Sequence, residues 1–305
     1  EGNTIDGPQI IFFSQIPIST RFQIASWIHI TELIIILTRG MSDCEIQSNN
    51  LILFISHSFL LDSLLDTLKL TPMQVTILFQ IIKSTSFEDK NLLLNNMSAI
   101  LNLDFIRQQL ILNFLKIENN DFENFKKSIS DLFENEIVEL ALYEISKLLE
   151  LLNFIGLNFK KIVLCTFLPD KKYFPYFYAG LNYCVKKYEE HELNFQSKPN
   201  SIQSYSCFKF LATGGCAENL KPESSNSISL NGFLIYKEEL DVQLKKIKQC
   251  SNYELNNQSI FSQSLKLKII IIASFGESLL DEKLKLFYEY TNMGFRIRII
   301  FEEIT

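Results

Sequence analysis

The sequence predicts an α+β fold, an antiparallel sheet interrupted by a block of helices and followed by a smaller α/β unit. Three observations carry this. Residues 8–56 hold short β-rich runs, the pattern turns helical from Phe59 to about Phe159, and residues 160–250 return to strands.

In the first region QIIFF, ELIIILT and LILFI are separated by Pro8, Pro17, Gly40 and Asn49-Asn50, which suggests strands with little helix between them. In the second, FLLDSLLDTL places Leu60, Leu61, Leu64, Leu65 and Leu68 on one stripe. Thr71-Pro72 reads as an N-cap with proline at the first helical position, opening MQVTILFQIIK. ELALYEISKLLELLNFIG reads as a long amphipathic helix closed by Gly156. The third region offers the strands KIVLCTF, FYAGLNYCVKKY, SYSCFKFLA and ISLNGFLIY, then the short helix KEELDVQLKKIK. Residues 252–264 are polar and turn-prone, a linker. Beyond them LKLKIIIIASFG, ESLLDEKLKLFYEYTNMG and FRIRIIF form a strand–helix–strand unit whose strands should be parallel. The chain stops right after that second strand, so the unit is expected to be incomplete. The expected domains are residues 1–251, with a helical insertion at about 70–140, and residues 265–305.

Composition narrows the function. With 305 residues, 47% hydrophobic content and 26 Phe, the chain can bury a substantial core and is no disordered regulator. The net charge of −6 excludes a broadly basic surface, so any RNA contact must come from a local patch. Six cysteines (44, 165, 184, 207, 216 and 250) form no CxxC pair, and the three histidines have no ligand spacing to them. No metal or cofactor is therefore expected, and Cys165, Cys184 and Cys207 read as small reduced core residues. There is no signal-peptide pattern. The most apolar stretch, Ile24 to Leu37, is broken by His29 and Glu32 and is shorter than a span of about 18–20 residues. These features predict a cytoplasmic protein without a membrane segment.

The sharpest motif lies at 211–239, LATGGCAENLKPESSNSISLNGFLIYKEE. Gly214-Gly215 follows an apolar run, and a second apolar segment carries Gly232; such strands let backbone approach a ligand closely. This stretch resembles histidyl-tRNA synthetases, in which a Gly-Gly-Arg-Tyr-Asp segment is followed by class II motif 3, ending in an ATP-binding arginine. Here Cys216, Ala217 and Glu218 follow the glycines, and Glu239 stands at the arginine position. FISHSFLLDSLLDTL is similar to the family's Asn-His-Thr or Asn-Ser-Arg segment leading into the insertion. EISKLLELLNFIGLNFKKIVLCTFLPDKKYFPYFYAGLNYCV is similar to the run through Pro-Asp to Arg-Gly-Leu-Asp-Tyr-Tyr-Thr-Gly. Anchored on Pro169-Asp170, the family arginine falls on Tyr173 and its aspartate on Tyr176, while Tyr178 and Gly180 are retained. Arg21 and Arg39 stand near where motif 2 would supply an arginine, and each also suits a solvated surface position.

The resemblance implies a class II scaffold that forms a homodimer and has lost amino-acid activation. A carboxylate at Glu239 would repel phosphates, and lost counter-charges remove the electrostatic stabilisation of phosphoryl transfer. Among inactive relatives, it points to the regulatory domain of the amino-acid-starvation kinase of translation initiation factor 2 alpha. That domain would sense uncharged tRNA or the ribosome for a linked kinase domain. No kinase motif occurs in this chain. A divergent active synthetase, the regulatory subunit of ATP phosphoribosyltransferase and a purely structural dimerisation module stay open as alternatives. RNA contacts are expected at Lys245, Lys246 and Lys248, and at Lys266, Lys268, Arg296 and Arg298, the last two sharing a strand face. Plainer readings compete. Gly214-Gly215 suits a bulge, Arg296 and Arg298 suit edge-strand solubility, and the charges of KIKQC and KKYEE suit exposed faces.

Overall fold

Seven strands build one sheet because long apolar runs recur on both sides of the helical block, and each needs a paired backbone neighbour. The computed structural model describes residues 9–17, 26–84, 90–168, 180–188, 210–217, 228–250, 269–275, 285–286, 288–289 and 296–302. In chain order the elements begin with β1 (Gln9–Pro17), α1 (Ser26–Asp43), a 3₁₀ turn (Ser48–Asn50) and β2 (Leu51–His57). The helical block is α2 (Ser58–Leu68), α3 (Pro72–Ser84), α4 (Lys90–Leu101), α5 (Phe105–Leu115), the two-residue β3 (Glu118–Asn119), α6 (Phe122–Ser130) and α7 (Glu136–Ile155). Then come β4 (Lys161–Cys165), β5 (Leu181–Lys187), β6 (Ala212–Ala217), β7 (Ile228–Tyr236), α8 (Lys237–Cys250), β8 (Ile269–Phe275) and β9 (Arg296–Glu302).

The sheet order is β1-β7-β6-β5-β2-β4-β3. Its pairings are antiparallel except for β2 beside β4, a parallel pair bridged by the whole helical block, as parallel strands require a crossover. The helices cover one face. There Leu53, Ile55, Tyr183, Val185 and Phe233 join Ile30, Ile34, Leu37, Leu60, Leu64, Ile145 and Leu148 in the main core. The other face carries a smaller cluster of Ile52, Phe54, Val163, Cys165, Cys184 and Phe210, drawn from strands and adjoining loops. Separately, β8 and β9 pair in parallel, as the strand–helix–strand pattern predicts.

The segment ELIIILT corrects one expectation. It lies within α1, not in a strand. Ile28, Ile30, Leu33, Ile34, Ile35, Leu37 and Met41 are all buried, so apolar residues occupy nearly every position and no helical stripe shows. The hydroxyls of Thr31 and Thr38 donate to the carbonyls of Trp27 and Ile34, four residues back, so even the polar positions are satisfied within the helix. Eighteen residues are also too many for an ordinary strand. Because α1 is covered within the monomer, it is not an apolar surface awaiting a second copy.

Other local expectations agree with the structure. Thr71 and Gln74 form a reciprocal cap on α3, with Gln74 N donating to Thr71 Oγ1 (3.3 Å) and Thr71 N to Gln74 Oε1 (3.0 Å). Asn135 caps α7, and Gly156 ends it at φ 77°, a left-handed conformation that favours glycine. Leu60, Leu61, Leu64 and Leu68 are buried along α2. Cys165 and Cys184 are buried free thiols; Cys207 lies outside the described residues. Among the described residues no helix is long and apolar enough to cross a membrane.

Candidate functional site

The polar triplet Ser56-His57-Ser58 ends β2 and starts α2. His57 Nδ1 accepts from the Phe59 amide (3.2 Å), capping the helix; the proton therefore sits on Nε2, which donates to Glu144 of α7 (3.0 Å). Ser58 and Gly180 clasp each other, with Ser58 N donating to Gly180 O (2.9 Å) and Gly180 N to Ser58 Oγ (2.8 Å). The amide of Asn182 donates to the same Gly180 carbonyl (3.0 Å). The triplet thus anchors the retained glycine at the end of the Pro169–Gly180 run.

Across β5, β6 and β7 the register runs Asn182↔Gly215↔Gly232, one position beside Tyr183↔Gly214↔Phe233. Successive residues alternate between faces, so the two rows lie on opposite sides of the sheet. On the helix-covered side the Tyr183 ring crosses Gly214. A Cβ at Gly214 would collide with Tyr183 Cζ, meet its Oη at 2.5 Å and stand 2.8 Å from the Gly232 carbonyl oxygen. On the other side the Asn182 amide crosses Gly215, where a Cβ would strike Asn182 Oδ1 and lie 3.0 Å from the Leu181 carbonyl oxygen. The glycines do serve a close approach, but the approaching groups belong to the chain itself.

Among the described residues, both intruding side chains end in a buried oxygen without a partner, Tyr183 Oη and Asn182 Oδ1; Gln243 Oε1 is a third. Tyr183 is fully buried, and desolvation pushes its phenol well above its usual value, with the Cys184 thiol adding to the effect, so it stays protonated. Burial likewise raises the Cys165 thiol, with Glu118 reinforcing it, and Cys165 Sγ donates to Ile55 O (3.5 Å). Cys184 Sγ sits 3.2 Å from Thr213 Oγ1. These thiols are poor nucleophiles.

Other expected site residues scatter. Glu239 lies in the first turn of α8, where a carboxylate suits the helix N-terminus, and accepts from Gln243 Nε2 (2.9 Å). Arg39 lies near the end of α1, on the helix-covered side, and pairs with Asp43 (3.2 Å); Arg21 lies outside the described residues. Gly214, Gly215 and Gly232 come together, and Cys216 follows on β6 opposite Asn231. Tyr173, Tyr176, Tyr178 and Glu218 lie outside the described residues, as do Lys266 and Lys268. Lys245 is exposed on α8, which also carries Lys246 and Lys248; Arg296 and Arg298 sit opposite Ile269 and Ile271. Among the described residues no group of three or more His, Cys, Asp or Glu gathers as a metal site. Sequence reasoning missed Asn182 and Tyr183; the one signal was their placement two and three residues after Gly180.

This architecture, a mainly antiparallel sheet with helices on one face and a helical crossover, is the fold of the class II aminoacyl-tRNA synthetases. Two of its solved neighbours carry histidyl-tRNA synthetase in their names. The structure superposes on histidyl-tRNA synthetase from Nostoc sp. PCC 7120 with a TM-score of 0.55 at 15% identity, covering 97% of this chain and 61% of that one. A protein from Bacillus halodurans C described as an ATP phosphoribosyltransferase regulatory subunit/histidyl-tRNA synthetase gives 0.51 at 12% identity, covering 97% and 68%. This chain therefore spans less than two thirds of the Nostoc enzyme. At such identities the likeness defines the fold alone. No protein family and no curated protein sequence matches the chain.

Proposed function

We propose that this chain is a class II synthetase-like regulatory domain that does not activate an amino acid. The observation that carries the reading is the occupied floor at Gly215: the Asn182 amide fills the space over it, on the face away from the helices. Cys216, Glu218 and Glu239, with Tyr173, Tyr176 and Tyr178, would form its vestigial pocket, and Arg39 already pairs with Asp43. A floor already occupied by protein and lacking a described arginine leaves ATP phosphates without fixed counter-charge. Histidine-dependent ATP–pyrophosphate exchange tests this. We expect background exchange; clear turnover would restore the synthetase reading.

The regulatory role that fits best is sensing uncharged tRNA or a ribosomal partner, as a homodimer, for a linked kinase that acts on translation initiation factor 2 alpha. The scaffold and the appended β8–β9 pair support it. A second reading, the regulatory subunit of ATP phosphoribosyltransferase, is favoured by the name of the Bacillus neighbour. That neighbour aligns with 97% of this chain, so the β8–β9 unit does not separate the two readings. Pull-down of RNA against pull-down of a phosphoribosyltransferase would.

A further inference from the structure

Helix α7 is buried along one face, from Val138 through Ile145 and Leu152 to Ile155. At about 100° per residue, Leu140, Tyr143, Lys147, Glu150 and Phe154 fall within about 80° of one another on the opposite side. Leu140 is 46% exposed, Tyr143 53% and Phe154 46%. The solvated face of a helix ordinarily carries polar groups, so three large apolar side chains in line there form a surface that the monomer does not use.

The stripe is ordered from within. Lys147 Nζ donates to Glu150 Oε2, one turn on, and lies 5.8 Å from the centroid of the Tyr143 ring, one turn back. Ser146 Oγ donates to the other Glu150 oxygen (3.2 Å). The Lys147 bond holds the Glu150 carboxyl below its ordinary value, so the pair is ionised at neutral pH. Lys285 Nζ lies 5.9 Å from the centroid of the Phe154 ring, flanking the ring without covering it. With one cation and one anion, the five-residue stripe has no net charge and offers no attraction to a polyanion.

What the stripe does complement is its own reverse. A two-fold axis passing between Leu148 and Leu149 pairs antiparallel copies of α7 so that Tyr143 faces Phe154 of the second copy and Lys147 faces its Glu150. The axis repeats each contact, which gives two aromatic pairs outside two charge pairs. Leu140, one turn beyond Tyr143, closes the outer edge. Other registers are penalised: an axis through Lys147 sets that lysine against itself and Glu150 against Glu144.

We propose that this face of α7 is where two copies of the chain pair, as antiparallel helices. The surface gives the homodimer of the regulatory reading a location and rests on that part of the reading alone. One helix pair is smaller than the roughly 1,600 Å² of a standard interface, so the dimer is a weak one.

Sedimentation of the whole chain up to about 200 µM tests this with the unmodified protein, K147E, E150K and an equal mixture of the two variants. Each variant alone sets like charges across the axis and should weaken the dimer about tenfold or more. In the mixture one chain supplies only carboxylates and the other only amines, so opposite charges face each other again and dimers should return, although both chains remain net negative. An ion pair confined to one helix cannot produce that rescue. If a charge variant melts at a substantially lower temperature, Tyr143→Ser, at an exposed position, carries the test and should weaken the dimer similarly. Dimers of unchanged strength in these variants, or a mixture that stays monomeric, overturn the α7 surface and leave the homodimer standing on another face. An unmodified chain that stays monomeric overturns both, while the absence of amino-acid activation is judged separately by pyrophosphate exchange.

Discussion

The two faces of the β5–β6 pair solve the same steric problem with different chemistry. On the helix-covered face a rigid phenol ring fills the space over Gly214, backed by Phe233 and the main core. On the opposite face a short amide lies over Gly215 beside Gly232 and hands one hydrogen bond to Gly180. Adjacent glycines in one strand thus do two jobs. Gly214 is a packing residue, and Gly215 belongs to the polar floor. An orphan oxygen has a different meaning on each side. Tyr183 Oη is sealed among hydrocarbon, where it only costs stability, whereas Asn182 Oδ1 belongs to the row that continues from the Ser56–Ser58 triplet.

The sharpest way to break this comparison is Gly214→Ala. Its new methyl meets an aromatic ring and a backbone carbonyl, neither of which can swing away, so stability in urea should fall by about 3 kcal/mol. A loss below about 1 kcal/mol would mean the ring is loosely held, and the two faces would not differ in kind. Gly215→Ala should cost slightly less, about 2–3 kcal/mol: Asn182 can move its amide, but the Leu181 carbonyl cannot yield and φ 159° strains a residue with a Cβ. Asn182→Ser in that background should recover part of the loss, since the two positions touch. The smallest effect is a gain. Tyr183→Phe removes an unpartnered hydroxyl and should stabilise by about 1 kcal/mol.

The phenol adds a pH signature. Its folded-state value is raised above the ordinary 10.0, so above that pH the unfolded chain releases a proton that the folded chain keeps. Stability present below pH 10.0 is lost as pH climbs towards the raised value. Tyr183→Phe should shallow that decline in unfolding curves taken on either side of pH 10.0, and an identical slope would place the titrating group elsewhere.

Legibility in the sequence followed how local the physics was. The α3 cap at Thr71-Pro72, the stripe of α2 and the Gly156 terminator are set by residues within a turn or two of each other, and the chain alone displayed them. Helix α1 was not legible, because burial on nearly all sides erased the periodicity that marks a helix, leaving Gly40 and the β-branched isoleucines to suggest strands. At the site, the glycines could be picked out but not their occupants. Which side chain crosses Gly214 depends on the β5–β6 register, a long-range property.

The pairing of β1 has a consequence in time. Its partner β7 joins Ile10 to Ile235 and Phe13 to Gly232, so the first strand of this chain waits for more than two hundred residues before its neighbour exists. At ribosomal speeds of about 5–20 residues per second, that interval is on the order of ten to forty-five seconds. The helices of the block need only local contacts and can form within it, and β2 finds β4 partway through. Of the strands described, the earliest in the chain is among the last to be paired. During synthesis, the segment most exposed to wrong partners is the one that ends up at the sheet's edge.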